Sequence, residues 1–169
     1  MPGLEVRDAR ATDLPALTDL YNHYVVTSAV TFDVEPLTVE ARRRNWFAHY
    51  APTGPHRLLV ATGPDGEILG YVTSSPFRAK AAYRTSVETS VYCRPDAVGR
   101  GVGRLLYERL FAALRHEDLH RAYAGIALPN EPSRRLHARC GFTEVGTYHE
   151  VGWKNGRYWD VLWVERSLP

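Results

Sequence analysis

Cysteine is scarce in this sequence: Cys93 and Cys140 are the only two among 169 residues. Two cysteines build no disulfide framework, and neither sits at zinc-ligand spacing, so the pair fits a reducing compartment. An excess of one charge is also missing. The formal net charge is +2 with the arginines scattered, which excludes the crowded basic face of a nucleic-acid binder. No apolar run approaches membrane-spanning length, and Met1-Pro2-Gly3-Leu4-Glu5 opens no signal-peptide core. A cytoplasmic protein without membrane contact is the expectation. Repeats, linkers and low-complexity segments are absent too, so residues 1–169 are read as one domain. A chain of this length buries roughly two-thirds of its unfolded surface and needs neither disulfide nor metal to fold.

What is present is a regular alternation of short elements. Leu4 to Ala9 reads as a strand, and Thr12 offers an N-cap to a helix carrying Leu14, Leu17, Leu20, Tyr21 and Tyr24. A second helix starts at Thr38, with Trp46, Phe47 and Tyr50 on its buried side and Arg42-Arg43-Arg44 on a solvated face. The link from Thr27 to Pro36 is long for a compact domain, and long ordered loops are often functional. Arg57 to Thr62 and Glu67 to Ser74 form a hairpin across Gly63-Pro64-Asp65-Gly66. In Arg84 to Cys93, Val87, Thr89, Val91 and Cys93 take one face; Ser86, Glu88, Ser90 and Tyr92 take the other.

A helix from Gly103 to His116 follows, with Leu106, Leu110, Ala113 and Leu114 inward, then a strand from Arg121 to Leu128. Asn130 as N-cap and Gly141 as stop bound a short helix from Glu131 to Cys140. Strands around Phe142 to Val151 and Arg157 to Glu165 close the chain across an Asn155-Gly156 turn. The order β-α-α-β-β-β-α-β-α-β-β predicts a mixed α/β or α+β fold with a mostly antiparallel sheet flanked by helices.

The turn Val98-Gly99-Arg100-Gly101-Val102-Gly103-Arg104 lies between a strand and a helix. Backbone N–H groups there converge with the helix dipole on an anion site suited to pyrophosphate. Side chains at Gly101 or Gly103 are expected to block a ligand from the backbone. The spacing G-x-G-x-G, with Arg104 at the next position, departs from the dinucleotide fingerprint.

These residues resemble the acetyl-coenzyme A motif of the GNAT superfamily of N-acetyltransferases, usually R/Q-x-x-G-x-G/A. Val98 replaces the usual Arg or Gln, which removes a side-chain contact and leaves the backbone donors intact. A narrower resemblance rests on Asn22-His23-Tyr24, Thr27-Ser28, Thr31-Phe32, Glu35-Pro36, Ala82-Tyr83, Glu88, Val91-Tyr92, Leu128 to Ser133, His137, Gly156, Trp159-Asp160-Val161 and Trp163. Together these resemble the phosphinothricin and methionine sulfoximine N-acetyltransferases over nearly the whole chain. The resemblance implies a GNAT fold and acetyl-CoA as cosubstrate. It implies cofactor contacts at Val91, Tyr92, Cys93, residues 98–104, Asn130 and Ser133. It also implies a Glu88–His137 catalytic pair and a homodimer, with which an exposed hairpin carrying Trp153, Trp159 and Trp163 agrees.

The chemistry is consistent with those roles. An amine is mostly protonated at neutral pH, so acetyl transfer needs a base, and Glu88 lies on the strand that runs into the turn. Histidine titrates near neutrality, so His137 suits the acid or the orienting partner, with the order of roles open. A backbone N–H near Tyr92 is the candidate donor to the developing oxyanion. Direct transfer is preferred to a route through Cys93 or Cys140, because Cys93 alternates away from Glu88. His116 and His120 lack a carboxylate in register and read as a helix end, so no metal is expected. The resemblance further implies that Arg78, Lys80, Tyr83 and Phe32 surround a small amino-acid acceptor, whose carboxylate or phosphinate the cations are suited to hold. A protein or polyamine acetyltransferase and a non-catalytic coenzyme A-binding module are the alternatives.

Overall fold

The structure, a computed structural model, describes residues 3–168; Met1, Pro2 and Pro169, the outermost positions of the expected domain, lie outside the described residues. The strands are β1 (Glu5–Asp8), β2 (Leu58–Thr62), β3 (Ile68–Pro76), β4 (Ser86–Cys93), β5 (Arg121–Ala127), β6 (Thr143–Lys154) and β7 (Arg157–Ser167). The helices are α1 (Leu14–Thr27), α2 (Val39–Asn45), α3 (Val102–Leu114) and α4 (Glu131–Arg139). One sheet joins all seven strands in the order β1-β2-β3-β4-β5-β7-β6. Every neighbouring pair is antiparallel except β4 and β5. The mixed α/β expectation holds, and the glycine turn lies inside the sheet's one parallel crossover, β4-α3-β5.

Alternation along the strands sends side chains to two cores. Leu59 and Ala61 of β2 join a cluster with Leu106, Tyr107 and Leu110 of α3, whereas Leu58 and Val60 join Leu17 and Leu20 of α1. One sheet face therefore carries α3 and α4, and the other carries α1 and α2.

Three local expectations are corrected. Thr12 does not cap α1. A short 3-10 turn over Ala11–Asp13 precedes the helix, and Asp13 takes the local donors instead. Its carboxylate accepts the Arg10 N–H at 2.7 Å and holds both Arg7 amino groups at 2.7 and 2.9 Å. Thr38 does cap α2, accepting the Ala41 N–H at 3.1 Å, but the helix stops at Asn45, so Trp46, Phe47 and Tyr50 lie beyond it. Arg42 is not on a solvated face. It is only 4% exposed, because its position one turn before Trp46 turns it inward.

The closing hairpin forms as expected, with Asn155 and Gly156 both at positive φ (53° and 75°). Of its three tryptophans only Trp153 is exposed. Trp159 donates its indole N–H to the Lys154 carbonyl at 2.8 Å, and Trp163 packs edge-on against Phe77.

Candidate active site

Strands β4 and β5 pair over three residues only, Ser86 with Arg121, Val87 with Ala122 and Glu88 with Tyr123. Beyond Glu88 the ladder stops although both strands continue, so the sheet opens into a wedge. The edge of β4 from Thr89 to Cys93 has no strand partner on that side, so the backbone groups of Thr89 and Val91 that point there are left available, whereas the Tyr92 backbone faces β3 and is not the open-edge donor expected for the oxyanion. The hydroxyl of Tyr24 braces the end of this edge by donating to the Cys93 carbonyl at 2.6 Å. Burial pushes the Cys93 thiol up to about 11, which removes thiolate character at neutral pH and disfavours it as a nucleophile.

The glycine turn stands at the mouth of the wedge. Gly99 and Gly101 have φ of +79° and +81°, a conformation that favours glycine, and Gly101 caps α3 from it. The first helical bond runs from the Leu105 N–H to the Gly101 carbonyl. The N–H groups of Val102, Gly103 and Arg104 thus lack intrahelical partners, at the positive end of a 13-residue helix. Val98 and Arg100 are exposed beside them, and Arg104 pairs with Glu108 at 2.7 Å on the outer helix face. Gly103 plays a different part from the one expected. It is buried, and a Cβ there would meet Leu136 of α4 at 2.9 Å, so its smallness serves helix packing.

The proposed catalytic pair is split by the sheet. Glu88 faces the α1/α2 side with Ser90 and Tyr92, and the Arg78 guanidinium lies 3.9 Å from its carboxylate. Burial raises the Glu88 carboxyl above its ordinary value, against the pull of Arg78. His137 is 4% exposed on the α3/α4 side. Its Nδ1 lies 2.8 Å from the Ser133 carbonyl, which can only accept, so Nδ1 carries the proton. Nε2 therefore accepts, and the Tyr107 hydroxyl donates to it at 2.8 Å. Thr89, next in sequence to Glu88 but on the opposite face, lies 3.2 Å from that same hydroxyl. Burial lowers the His137 imidazole, against its bond to Ser133, and keeps the ring neutral near pH 7. Asn130 and Ser133 are engaged within α4 itself, the Asn130 side chain accepting the Ser133 N–H at 3.2 Å.

On the Glu88 side, Arg78 lies over Phe77 at 4.2 Å, and Phe77 stacks on Tyr123 with centroids 4.4 Å apart. Tyr83 packs edge-on against Phe77, whereas Lys80 is exposed before it. Phe32, on the loop between α1 and α2, covers Gly152 of β6, where a Cβ would overlap the ring. The buried Lys154 ammonium anchors the same loop by donating to the Thr31 carbonyl at 2.8 Å. Between this loop, α2 and the floor of β3 and β4 lies a cavity of about 420 Å³ bordered by Asp33, Arg42, Ser75 and Ser90. Among the described residues, no group of three or more His, Cys, Asp or Glu side chains is placed to hold a metal ion, and no helix is long and apolar enough to cross a membrane.

Two residues escaped the sequence reading. Tyr107 adjoins Leu106 on the inner stripe of α3 and is the stripe's one hydroxyl, a signal that was present. Arg42 shares a helix face with Thr38 and Trp46 at four-residue spacing, which separated it from Arg43 and Arg44.

Comparison with known proteins adds relatives to this geometry. A model of the acetyltransferase (GNAT) domain matches residues 6–163. The phosphinothricin N-acetyltransferase of Streptomyces coelicolor is 62% identical, covering 99% of this chain and 100% of that protein. An L-methionine sulfoximine/L-methionine sulfone acetyltransferase of Pseudomonas aeruginosa is 36% identical, covering 96% of this chain and 94% of that one. A solved acetyltransferase from Salmonella typhimurium with its cofactor acetyl-CoA superposes with a TM-score of 0.91 at 31% identity, covering 99% of this chain and 95% of that chain. A phosphinothricin acetyltransferase from Sinorhizobium meliloti in complex with acetyl-CoA gives 0.89 at 30%, covering 98% and 89%.

Proposed function

The chain belongs to the GNAT acetyltransferase family, and from that premise we propose that it transfers the acetyl group of acetyl-CoA to the α-amino group of a phosphinothricin- or methionine sulfoximine-like amino acid. The observation that carries this reading is Glu88. It sits at the apex of the β4/β5 wedge, on the face that holds Arg78 and the cavity, with its carboxyl raised by burial. A base of raised pKa is better matched to an ammonium proton at neutral pH than an ordinary carboxylate.

The residues divide the work by sheet face. The unpartnered N–H groups of Val102, Gly103 and Arg104 suit a pyrophosphate, and the open β4 edge at Val91 and Cys93 suits the amide-bearing arm behind it. Acetyl-CoA supplies the activated acyl group when bound. Arg78 holds the acceptor carboxylate beside Glu88, and Phe32, Tyr83 and Lys80 border the same side. Glu88 takes the proton from the amine as its nitrogen bonds to the acyl carbon. The carbon–sulfur bond breaks, and the departing sulfur takes up a proton on the opposite face. There we assign the donor role to the Tyr107 hydroxyl, held by His137 Nε2 at 2.8 Å and 3.2 Å from Thr89, which gives its proton to the sulfur and regains one after the products leave. His137 thus acts through Tyr107 and not in direct contact with Glu88.

Residues 1–169 act as one cytoplasmic domain in this reading. The exposed Tyr148, Trp153 and Tyr158 on the C-terminal hairpin support a homodimer. A thiol-release assay across amino acids and their analogues tests the activity. Glu88→Gln is expected to lower turnover about 10²- to 10⁴-fold with acetyl-CoA binding unchanged by calorimetry. Equal turnover in variant and parent removes Glu88 as the base.

A further inference from the structure

The C-terminal hairpin buries a lysine that the transfer chemistry does not use. Lys154 is 3% exposed at the end of β6, and its ammonium donates to the Thr31 carbonyl at 2.8 Å across 123 residues of chain. That is the ammonium's one hydrogen bond among the described residues, although it carries three donors. No carboxylate among the described residues forms an ion pair with it, and Asp33, two residues beyond Thr31, is the charge that pulls on it. A buried cation held mainly by a carbonyl is costly. An apolar side chain of similar length would pack there without that cost, so the charge is kept for what it holds.

What it holds is one end of a strap. Thr31 is buried, whereas residues 32–36 that follow it are all exposed. The strap is tied at both ends. At its start the Thr31 hydroxyl donates to the Tyr21 oxygen at 2.6 Å, and the Tyr21 hydroxyl donates to Asp33 at 2.6 Å. At its end the Asn22 side chain brackets Leu37, accepting its N–H and donating to its carbonyl, both at 2.8 Å. Tyr21 and Asn22 belong to α1, so these ties come from one side only. Lys154 supplies the tie from the other side. Phe32 rests on Gly152, which precedes Lys154 by two residues and shares its face of β6. The strap therefore runs from α1 to the hairpin, with Asp33 at the border of the cavity and Phe32 beside it.

We propose that Lys154 is a positioning residue for the acceptor: by clamping the strap from Thr31 to Pro36 onto the hairpin, it holds that wall of the acceptor cavity in place. The inference rests on the amino-acid acceptor reading of the preceding subsection. The acetyl-CoA contacts proposed there lie on other elements, the β4 edge and the N-terminus of α3, so the clamp acts on acceptor binding alone. Without it the strap samples open positions, and the acceptor binds only the fraction of molecules in which the wall is formed.

Lys154→Met keeps the apolar stem and removes the ammonium. If the closed strap falls to about one-tenth of molecules, KM for the amino-acid acceptor rises about tenfold, with kcat and KM for acetyl-CoA within about threefold of the parent. Hydrogen exchange over residues 28–37, read without any substrate, is expected to quicken about tenfold while α3 and β5 keep the parent's protection. Lys154→Arg keeps the charge in a wider head, and both readouts are expected to fall between the parent and Lys154→Met. If Lys154→Met does not fold, Lys154→Arg against the parent decides, through an acceptor KM that moves while the acetyl-CoA KM does not. An unchanged acceptor KM, KM values for both substrates that rise together, or exchange over 28–37 at the parent's rate would overturn the proposal. The exchange measurement needs no acceptor, so a chain that acetylates no amino acid loses the acceptor reading while the clamp itself is still judged.

Discussion

Replacing Tyr107 with phenylalanine isolates one hydroxyl in the middle of the molecule. The Tyr107 side chain is fully buried, and its ring stacks on Phe111 at 5.4 Å and meets Phe142 edge-on at 5.5 Å. Tyr107→Phe keeps those contacts and opens no ring-sized void. What disappears is the donor to His137 Nε2 at 2.8 Å and the contact to Thr89 at 3.2 Å. Thr89 keeps an alternative, the Tyr123 carbonyl at 3.2 Å, whereas His137 Nε2 is stranded in the core. A stranded buried acceptor costs about 1–3 kcal/mol, so urea unfolding is expected to show a loss of that size with an unchanged denaturant slope. The loss depends on pH with a definite sign. The His137 imidazole is lowered in the folded state from its ordinary 6.5, so the stability linked to its neutral form is complete above pH 6.5 and fades as pH falls through the lowered value. The Tyr107 hydroxyl donates to Nε2 of the neutral ring, a bond that protonation of Nε2 abolishes, so its contribution belongs to the neutral form. The difference between parent and variant is therefore largest above pH 6.5 and shrinks on acidification. Turnover is expected to fall about tenfold or more, with acetyl-CoA affinity retained. A variant within about 0.5 kcal/mol of the parent at pH 8, with the same pH profile, would refute the argument.

Other perturbations separate the two sides of the sheet. Gly152→Ala places a methyl group where the Phe32 ring lies. The ring is partly exposed and can swing aside, so stability should change by less than about 1 kcal/mol while KM for the acceptor rises about tenfold; an unchanged KM removes Phe32 from the acceptor site. Gly101→Ala forces a left-handed φ of +81° on a residue with a Cβ, which should cost about 1–2 kcal/mol in chemical unfolding and weaken acetyl-CoA binding in calorimetry. Undiminished cofactor affinity there would mean that the N-terminus of α3 is not the anion site.

Local chemistry was legible in the sequence wherever a residue type has one favoured use. Asn130 caps α4, Thr38 caps α2, and Asn155-Gly156 turns the final hairpin, because each motif satisfies its own backbone. Alternation in β4 correctly set Glu88 and Thr89 on opposite faces. What it left open was which helices cover which face. That placement depends on the crossover at α3, and it decides that His137 meets Tyr107 instead of Glu88. Gly103 misled for a related reason, since a glycine needed for helix packing and one needed for a ligand look alike until Leu136 arrives beside it. Arg42 was separable from Arg43 and Arg44 by its four-residue spacing to Thr38 and Trp46, but only the packed rings of Trp46 and Tyr21 show how far it is enclosed.

The wedge between β4 and β5 has a consequence for how such a protein can change. In the proposed reading it puts the acyl carrier's anchors on one face and the acceptor's contacts on the other, with only the short strip around Glu88 shared. Substitutions along α2, the Phe32 loop or the β6–β7 hairpin can retune what is acetylated without disturbing Gly101, Tyr107 or His137. New acceptor specificities are reachable by drift on one side of the sheet while the transfer machinery on the other is inherited intact.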